Sequence, residues 1–148
     1  MDIRKGGKYP SGALSNFQPY VFHVDDVLCN SMEGFLQGLK FSSVEMQEYV
    51  CTLTGAVAKK KGANKNWRKA QTLYWKGIEY KRDSVGYQQL LDKAFNALNT
   101  NVKFRKALSA TNNAALKHSL GKRKSNETVL TQREFCSRLL TLREKGEI

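Results

Sequence analysis

A chain of 148 residues, 41% hydrophobic and carrying seven Phe, six Tyr and two Trp, is long enough for one hydrophobic core and predicts a single globular domain over residues 1–148. Twenty-five Lys and Arg against thirteen Asp and Glu leave a net charge of +12, a field that attracts polyanions and phosphorylated small molecules without separating the two. No run of about 18 apolar residues is present and the charged opening MDIRKGGKYPSG has no apolar stretch behind it, so neither a membrane span nor a signal peptide is predicted and a cytoplasmic location is expected.

In chain order, Pro10, Pro19, Gly6, Gly7 and Gly12 predict an irregular opening as far as Leu14–Phe17, which reads LSNF. Tyr20 to Val24 alternates around Phe22, and Val27 to Cys29 follows the two-residue connection Asp25-Asp26, so a short hairpin is expected. Asn30-x-x-Glu33 reads as a capping box at the start of a helix through NSMEGFLQGLKF. Ser42-x-x-Glu45 reads as the start of a second helix, with Met46, Val50, Leu53 and Val57 on one face and Gly62 at its end. Leu90, Leu91, Ala94, Phe95 and Leu98 give Tyr87–Leu98 a helical period, and Val102–Ala110 reads as a shorter helix. Thr131-x-x-Glu134 is a capping box with Leu130 and Phe135 placed to staple it, and Leu139 and Leu142 continue the apolar stripe. The expected fold is predominantly α with a small β element, an α+β arrangement of four or five helices. Residues 59–86 and 117–130 are left as connections long enough to build a binding site.

Cys29, Cys51 and Cys136 are odd in number and lack a CxxC pair or a Cys-His cluster, so three reduced thiols are expected. The two histidines have no ligand spacing, and neither a metal nor a cofactor is predicted; His23 sits in the hairpin, where a half-buried structural role fits it. On a helix at about 100° per residue, Met32, Phe35, Leu36 and Leu39 share one side while Glu33, Gln37 and Lys40 line the side next to it. Gly34 and Gly38 fall on a third side, where another backbone or a ligand can approach. The plain alternative for the polar stripe is a surface Glu33–Gln37 or Glu33–Lys40 interaction of about 0.2–0.5 kcal/mol. From Lys59 to Lys76 there are seven basic residues and no acid, interleaved with Trp67, Tyr74 and Trp75. That run reads as a solvated surface or as a nucleic-acid-binding one.

The segments LSNF (14–17), SMEGFLQGLKF (31–41), TLYWKG (72–77) and HSLGKRKSNETVLTQREFCSRL (118–139) follow one another in an order and spacing that resembles the NADAR, or YbiA-like, family across nearly the whole chain. The resemblance implies a compact YbiA-like fold and N-glycosidase activity on ADP-ribose-type or phosphoribosyl-type compounds. Glu33 matches the family's catalytic glutamate, Lys40-Phe41 its lysine-phenylalanine pair, and Asn16 the asparagine of its SNF segment, with Phe17 beside it. Its mid-chain tryptophan aligns with Trp75 rather than Trp67, although a core or loop-anchoring role is the plain reading of Trp75. His118, Ser119 and Lys122, from HSLGK, are residue types suited to an anion-holding loop, so the substrate-binding set is Asn16, Phe17, Gln37, Lys40, Trp75, His118, Ser119 and Lys122. Two departures stand out: Gly34 replaces the histidine that many members carry after the glutamate, and the family's late aspartate has no counterpart, so either a residue such as His118 or Glu127 takes its place or it is absent. The implied function is hydrolysis of the C1′–N bond of an ADP-ribosyl or phosphoribosyl compound with Glu33 as catalytic carboxylate. The expected partners are a small molecule of that class or ADP-ribosylated nucleic acid, with ADP-ribose leaving a guanine, and no membrane. The alternative is a module that binds ADP-ribose, NAD or nucleic acid without turning it over.

Overall fold

Asp25 and Asp26 both adopt left-handed backbone conformations (φ 47° and 68°), the geometry that closes a two-residue hairpin. They join β1 (Phe22–Val24) to antiparallel β2 (Val27–Cys29), which turn Phe22, Val24, Val27 and Cys29 inward and leave His23 and Leu28 exposed. His23 therefore faces solvent rather than being half-buried. The computed structural model describes residues 1–146. No helix among them is long and apolar enough to cross a membrane.

α1 (Met32–Gly38) starts one residue later than the capping-box reading places it. Ser31 is the N-cap, its hydroxyl accepting from Gly34 N, while Asn30 donates instead to the Thr52 carbonyl. Gly34 occupies the third helical position and has no side chain with which to close a box. The helix buries Met32, Phe35 and Leu36, with Leu39 just beyond it; burial of one such side chain is worth about 1.5–3 kcal/mol.

The second predicted helix is two. α2 (Val44–Cys51) is capped by Ser43, and α3 (Gly55–Ala63) restarts after Thr52-Leu53-Thr54, with Gly55 at φ 55° making the turn. The break removes the expected stripe: Val50 is buried, but Met46 and Val57 are exposed. One of the buried residues of α2 that join it to other elements is polar. Gln47 donates to the carbonyls of Gly38 (3.0 Å) and Tyr74 (2.8 Å) and accepts from Lys76 N, tying α1 and α2 to the next hairpin.

That hairpin, β3 (Thr72–Trp75) with antiparallel β4 (Ile78–Lys81), lies inside the stretch read from sequence as a connection. Lys76 and Gly77 form its turn with φ of 51° and 83°. α4 (Val85–Leu98), capped by Ser84, buries all five residues of its predicted stripe, and α5 (Val102–Ser109) is capped by Asn101. α6 (Gln132–Lys145) opens with the expected Thr131–Glu134 capping box and buries Phe135, Leu139 and Leu142. Six α-helices and two small antiparallel hairpins among the described residues make an α+β fold, and one hydrophobic cluster runs from Ile3 to Leu142.

Candidate functional site

The side of α1 next to its core face opens into a cleft of about 580 Å³, within the range of small-molecule sites. Glu33, Leu36, Gln37 and Lys40 form one wall; Lys59 from α3 and Asn64 to Arg68 beyond it form the second. The third comes from His118, Leu120, Gly121 and Lys122 together with Glu127 to Leu130, and Asn16 completes the lining. Five Lys or Arg side chains (Lys40, Lys59, Lys65, Arg68 and Lys122) face two carboxylates, Glu33 and Glu127, so an anionic ligand is favoured.

Glu33 is half-buried, and its backbone N–H donates to the Asn16 carbonyl, which fixes the LSNF segment against α1. Gln37 Nε2 donates to Glu33 Oε2 at 2.7 Å. Gln37 is itself buried, so this pair is part of the cleft wall and not a solvated surface interaction. Gln37 Oε1 has no hydrogen-bond partner, and a Cβ at Gly62 would collide with it. Glycine in α3 thus lets the two helices close directly over this acceptor, which is sealed between them. Burial lifts the Glu33 carboxyl above the ordinary glutamate value, opposed by the Gln37 hydrogen bond and the charges of Lys59, Lys40 and His118. The place of Glu33 in the first turn of α1, which alone favours the ionised form, does not reverse that rise. Lys40 shifts downward, through burial first; Glu33 opposes the shift while Arg68 and Lys59 add to it. The Lys40 ammonium lies 3.5 Å from the Gly62 carbonyl.

The wall at 126–130 is held by four side chains that donate to its carbonyls. Gln71 reaches Asn126, Arg68 reaches Glu127, Arg82 reaches Thr128, and the Tyr87 hydroxyl reaches Val129 at 2.6 Å. The 118–122 loop is held by the N-terminal segment: Ser119 donates through both its N–H and its hydroxyl to Asp2, and His118 Nδ1 lies 2.8 Å from the Ile3 carbonyl.

Of the residues singled out from sequence, Glu33, Asn16, Gln37, Lys40, His118 and Lys122 meet at this cleft, and Phe17, Ser119 and Trp75 do not line it. Phe17 lies beneath the Lys5 ammonium, 5.4 Å from its ring centre, and Ser119 spends its donors on Asp2. Trp75 ends β3 pointing inward, packed at 5.0 Å against Phe35 with the rings tilted by 59° and its indole N–H donating to Asp25. The tryptophan in the cleft is Trp67, from ANKNWRK, where an aromatic among polar and basic residues has no core partner at strand or helical spacing; that isolation was the available signal. With Trp75 2% and Trp67 6% exposed, the basic run offers no open tryptophan face on which a strand of bases could stack. Among the described residues no group of three or more His, Cys, Asp or Glu side chains is placed to hold a metal ion.

The fold is shared with the E. coli protein YbiA, known from an NMR structure: the TM-score is 0.60 over 93% of this chain and 79% of that one, at 20% identity. In sequence, the chain is 37% identical over 149 residues to an uncharacterized 17.1 kDa protein encoded in the Gp30-rIII intergenic region of Enterobacteria phage T4, covering 97% of both proteins. A family model described as bacteriophage protein GP30.3 matches residues 8–144, which take in the LSNF segment, α1 and the 118–130 walls of the cleft. The chain is a member of the bacteriophage protein GP30.3 family.

Proposed function

We propose that the cleft hydrolyses the C1′–N bond of an ADP-ribosyl or phosphoribosyl compound, with Glu33 as the catalytic carboxylate. The single observation that carries this reading is a half-buried glutamate of raised basicity, held by Gln37, at the wall of a cleft ringed by five cations. Three of the four segments matched to the NADAR family, at 14–17, 31–41 and 118–139, contribute to its lining, and the YbiA-like fold is consistent with that kinship.

As the C1′–N bond lengthens, positive charge grows on the ribose and the bonding electron pair moves to the departing nitrogen. A carboxylate beside C1′ stabilises that cation and takes the proton of an attacking water, general-base help worth about 10²–10⁴-fold. A carboxylate lifted by burial is a stronger base than one in open water, and the nearby charges of Lys40, Lys59 and His118 limit the lift so that the ionised form stays accessible. Lys40, Lys59, Lys65, Arg68 and Lys122 are the groups for the diphosphate or phosphate. Trp67 contributes an apolar wall rather than a stacking face.

The test incubates wild type and Glu33→Gln with ADP-ribosylated guanosine, ADP-ribosylated DNA and NAD, following released ADP-ribose by chromatography. Wild type is expected to release ADP-ribose from at least one of these, and Glu33→Gln to lose about 10²–10⁴-fold. Tight binding by both proteins with turnover by neither would establish the binding-module reading instead. Full activity in Glu33→Gln would overturn the catalytic assignment.

A further inference from the structure

The proposed hydrolysis leaves one proton unassigned. When a guanine nitrogen departs it carries the electron pair of the broken bond and must receive a proton, whereas Glu33 is occupied with the attacking water. We infer that His118 is the acid that protonates the departing base through Nε2, an inference that rests on the hydrolase reading of the cleft.

Three features place the ring for this task. His118 Nδ1 lies 2.8 Å from the Ile3 carbonyl. A carbonyl can only accept, so Nδ1 carries a hydrogen and Nε2 is the nitrogen left to exchange a proton. The ring stands edge-on to Phe135, with centroids 5.1 Å apart, and its tilt is fixed by that packing. At Gly121 a Cβ would lie 2.6 Å from the ring's Cδ2 and 3.2 Å from Nε2, so only glycine fits beside that edge without displacing the ring. His118 and Glu33 both line the cleft, on walls built by different elements. A base that takes the water's proton and an acid that serves the leaving group can thereby address two sides of one bond.

The other candidates fit less well. Lys40 directs its ammonium to the Gly62 carbonyl. Glu127 remains as a rival and belongs in the experiment. The balance closes without a co-reactant. Water's oxygen bonds to C1′ and its proton passes to Glu33; the electron pair of C1′–N goes to the base with the proton from His118 Nε2. Transfer of one proton from Glu33 to His118 then restores both groups.

The discriminating measurement varies the leaving group. Nicotinamide leaves NAD as a neutral molecule, because the pair of the broken bond discharges the pyridinium nitrogen, and it needs no proton. His118→Asn keeps a side-chain N–H near the Nδ1 position for the Ile3 carbonyl and removes Nε2. Expected is a loss of about 10²-fold or more in kcat on ADP-ribosylated guanosine with KM little changed, and a loss at least tenfold smaller on NAD, whose remaining turnover shows that the variant is folded. Equal losses on both substrates, or no loss on guanosine, would overturn the assignment, as would the same split in Glu127→Gln but not in His118→Asn. If wild type turns over none of ADP-ribosylated guanosine, ADP-ribosylated DNA and NAD, the hydrolase reading fails and this one with it; a wild type active on a guanine substrate, free or in DNA, that is indifferent to His118→Asn sinks this inference alone.

Discussion

Glu33 carries an electrostatic cost that its function would explain. Burial raises its folded-state pKa above the ordinary glutamate value of 4.5. Below that value the carboxyl is protonated in both the folded and the unfolded chain, and burial carries no charge penalty. As pH rises past it the unfolded chain ionises first and the folded state loses relative stability, until the raised folded value is passed and the penalty becomes constant. Glu33→Gln keeps the size of the side chain and a hydrogen bond with Gln37 while deleting the charge. The variant should match the wild-type Tm near pH 4, exceed it increasingly as the pH is raised, and level off at a gain of about 0.5–2 kcal/mol, the usual yield of relieving a functional site. Thermal melts at pH 4, 6 and 8 read this directly. A Tm difference that is flat with pH would mean that Glu33 bears no such burden.

At the scale of elements, the cleft depends on how closely α1 approaches the end of α2. A Cβ at Gly34 would lie 2.5 Å from the Leu53 carbonyl oxygen and 2.8 Å from that of Cys51, both backbone atoms that cannot turn aside. Gly34→Ala gains about 1 kcal/mol of helix propensity. It forces α1 away from α2, at a cost of about 1–3 kcal/mol for overpacking, so a net loss is expected in urea titration. Gly38→Ala should cost less, since its nearest neighbour is the Cys51 sulfur at 3.1 Å. Spacing alone showed that these glycines admit a close neighbour, without saying whether it was a backbone or a ligand. The capping box at Thr131, the apolar period of α4 and the Asp25-Asp26 turn were legible because each is a local pattern with one physical reading. The break between α2 and α3 was hidden because Met46, Val50, Leu53 and Val57 hold a helical period straight across it. The β3–β4 hairpin was hidden behind Lys76-Gly77, whose Lys lacks the tolerance for left-handed backbone that marks Asn or Asp turns. That Trp75 lies inward and off the cleft lining was hidden for the same reason, since an inward position on a strand only becomes visible once the strand is seen. Glu33, Gln37 and Lys40 were found together because one helix face is enough to align them, whereas the cations of α3 and the loop beyond it reach the cleft only through tertiary packing.

Across the whole molecule, Arg82 connects the scaffold to the cleft. It is 1% exposed, holds both oxygens of Glu134 with its two terminal nitrogens, donates through Nε to Thr128 in the cleft wall and lies 4.8 Å from the centre of the Tyr87 ring. Burial by itself would raise the Glu134 carboxyl, but hydrogen bonds from Arg82, Thr131 N–H and Gln88 outweigh it and hold the group below the ordinary glutamate value. A depressed carboxylate stabilises the fold above its unfolded pKa, and that contribution is lost as pH falls through the depressed folded value. Arg82→Met removes the main partner and leaves Glu134 largely buried, at an expected cost of about 3–5 kcal/mol near pH 7. That is a large share of the roughly 5–15 kcal/mol that holds a domain together. The gap between wild type and variant should narrow steadily below pH 4.5, where protonation of Glu134 takes the same pair away from the wild-type protein. Because Arg82 also holds the Thr128 carbonyl, the variant should bind ADP-ribose more weakly at temperatures where it is still folded, measurable by calorimetry well below its Tm. Weaker binding with Glu33, Lys40 and His118 untouched would show that the cleft's third wall is set by the buried ion pair behind it. Undiminished affinity in a destabilised variant would confine Arg82 to the scaffold.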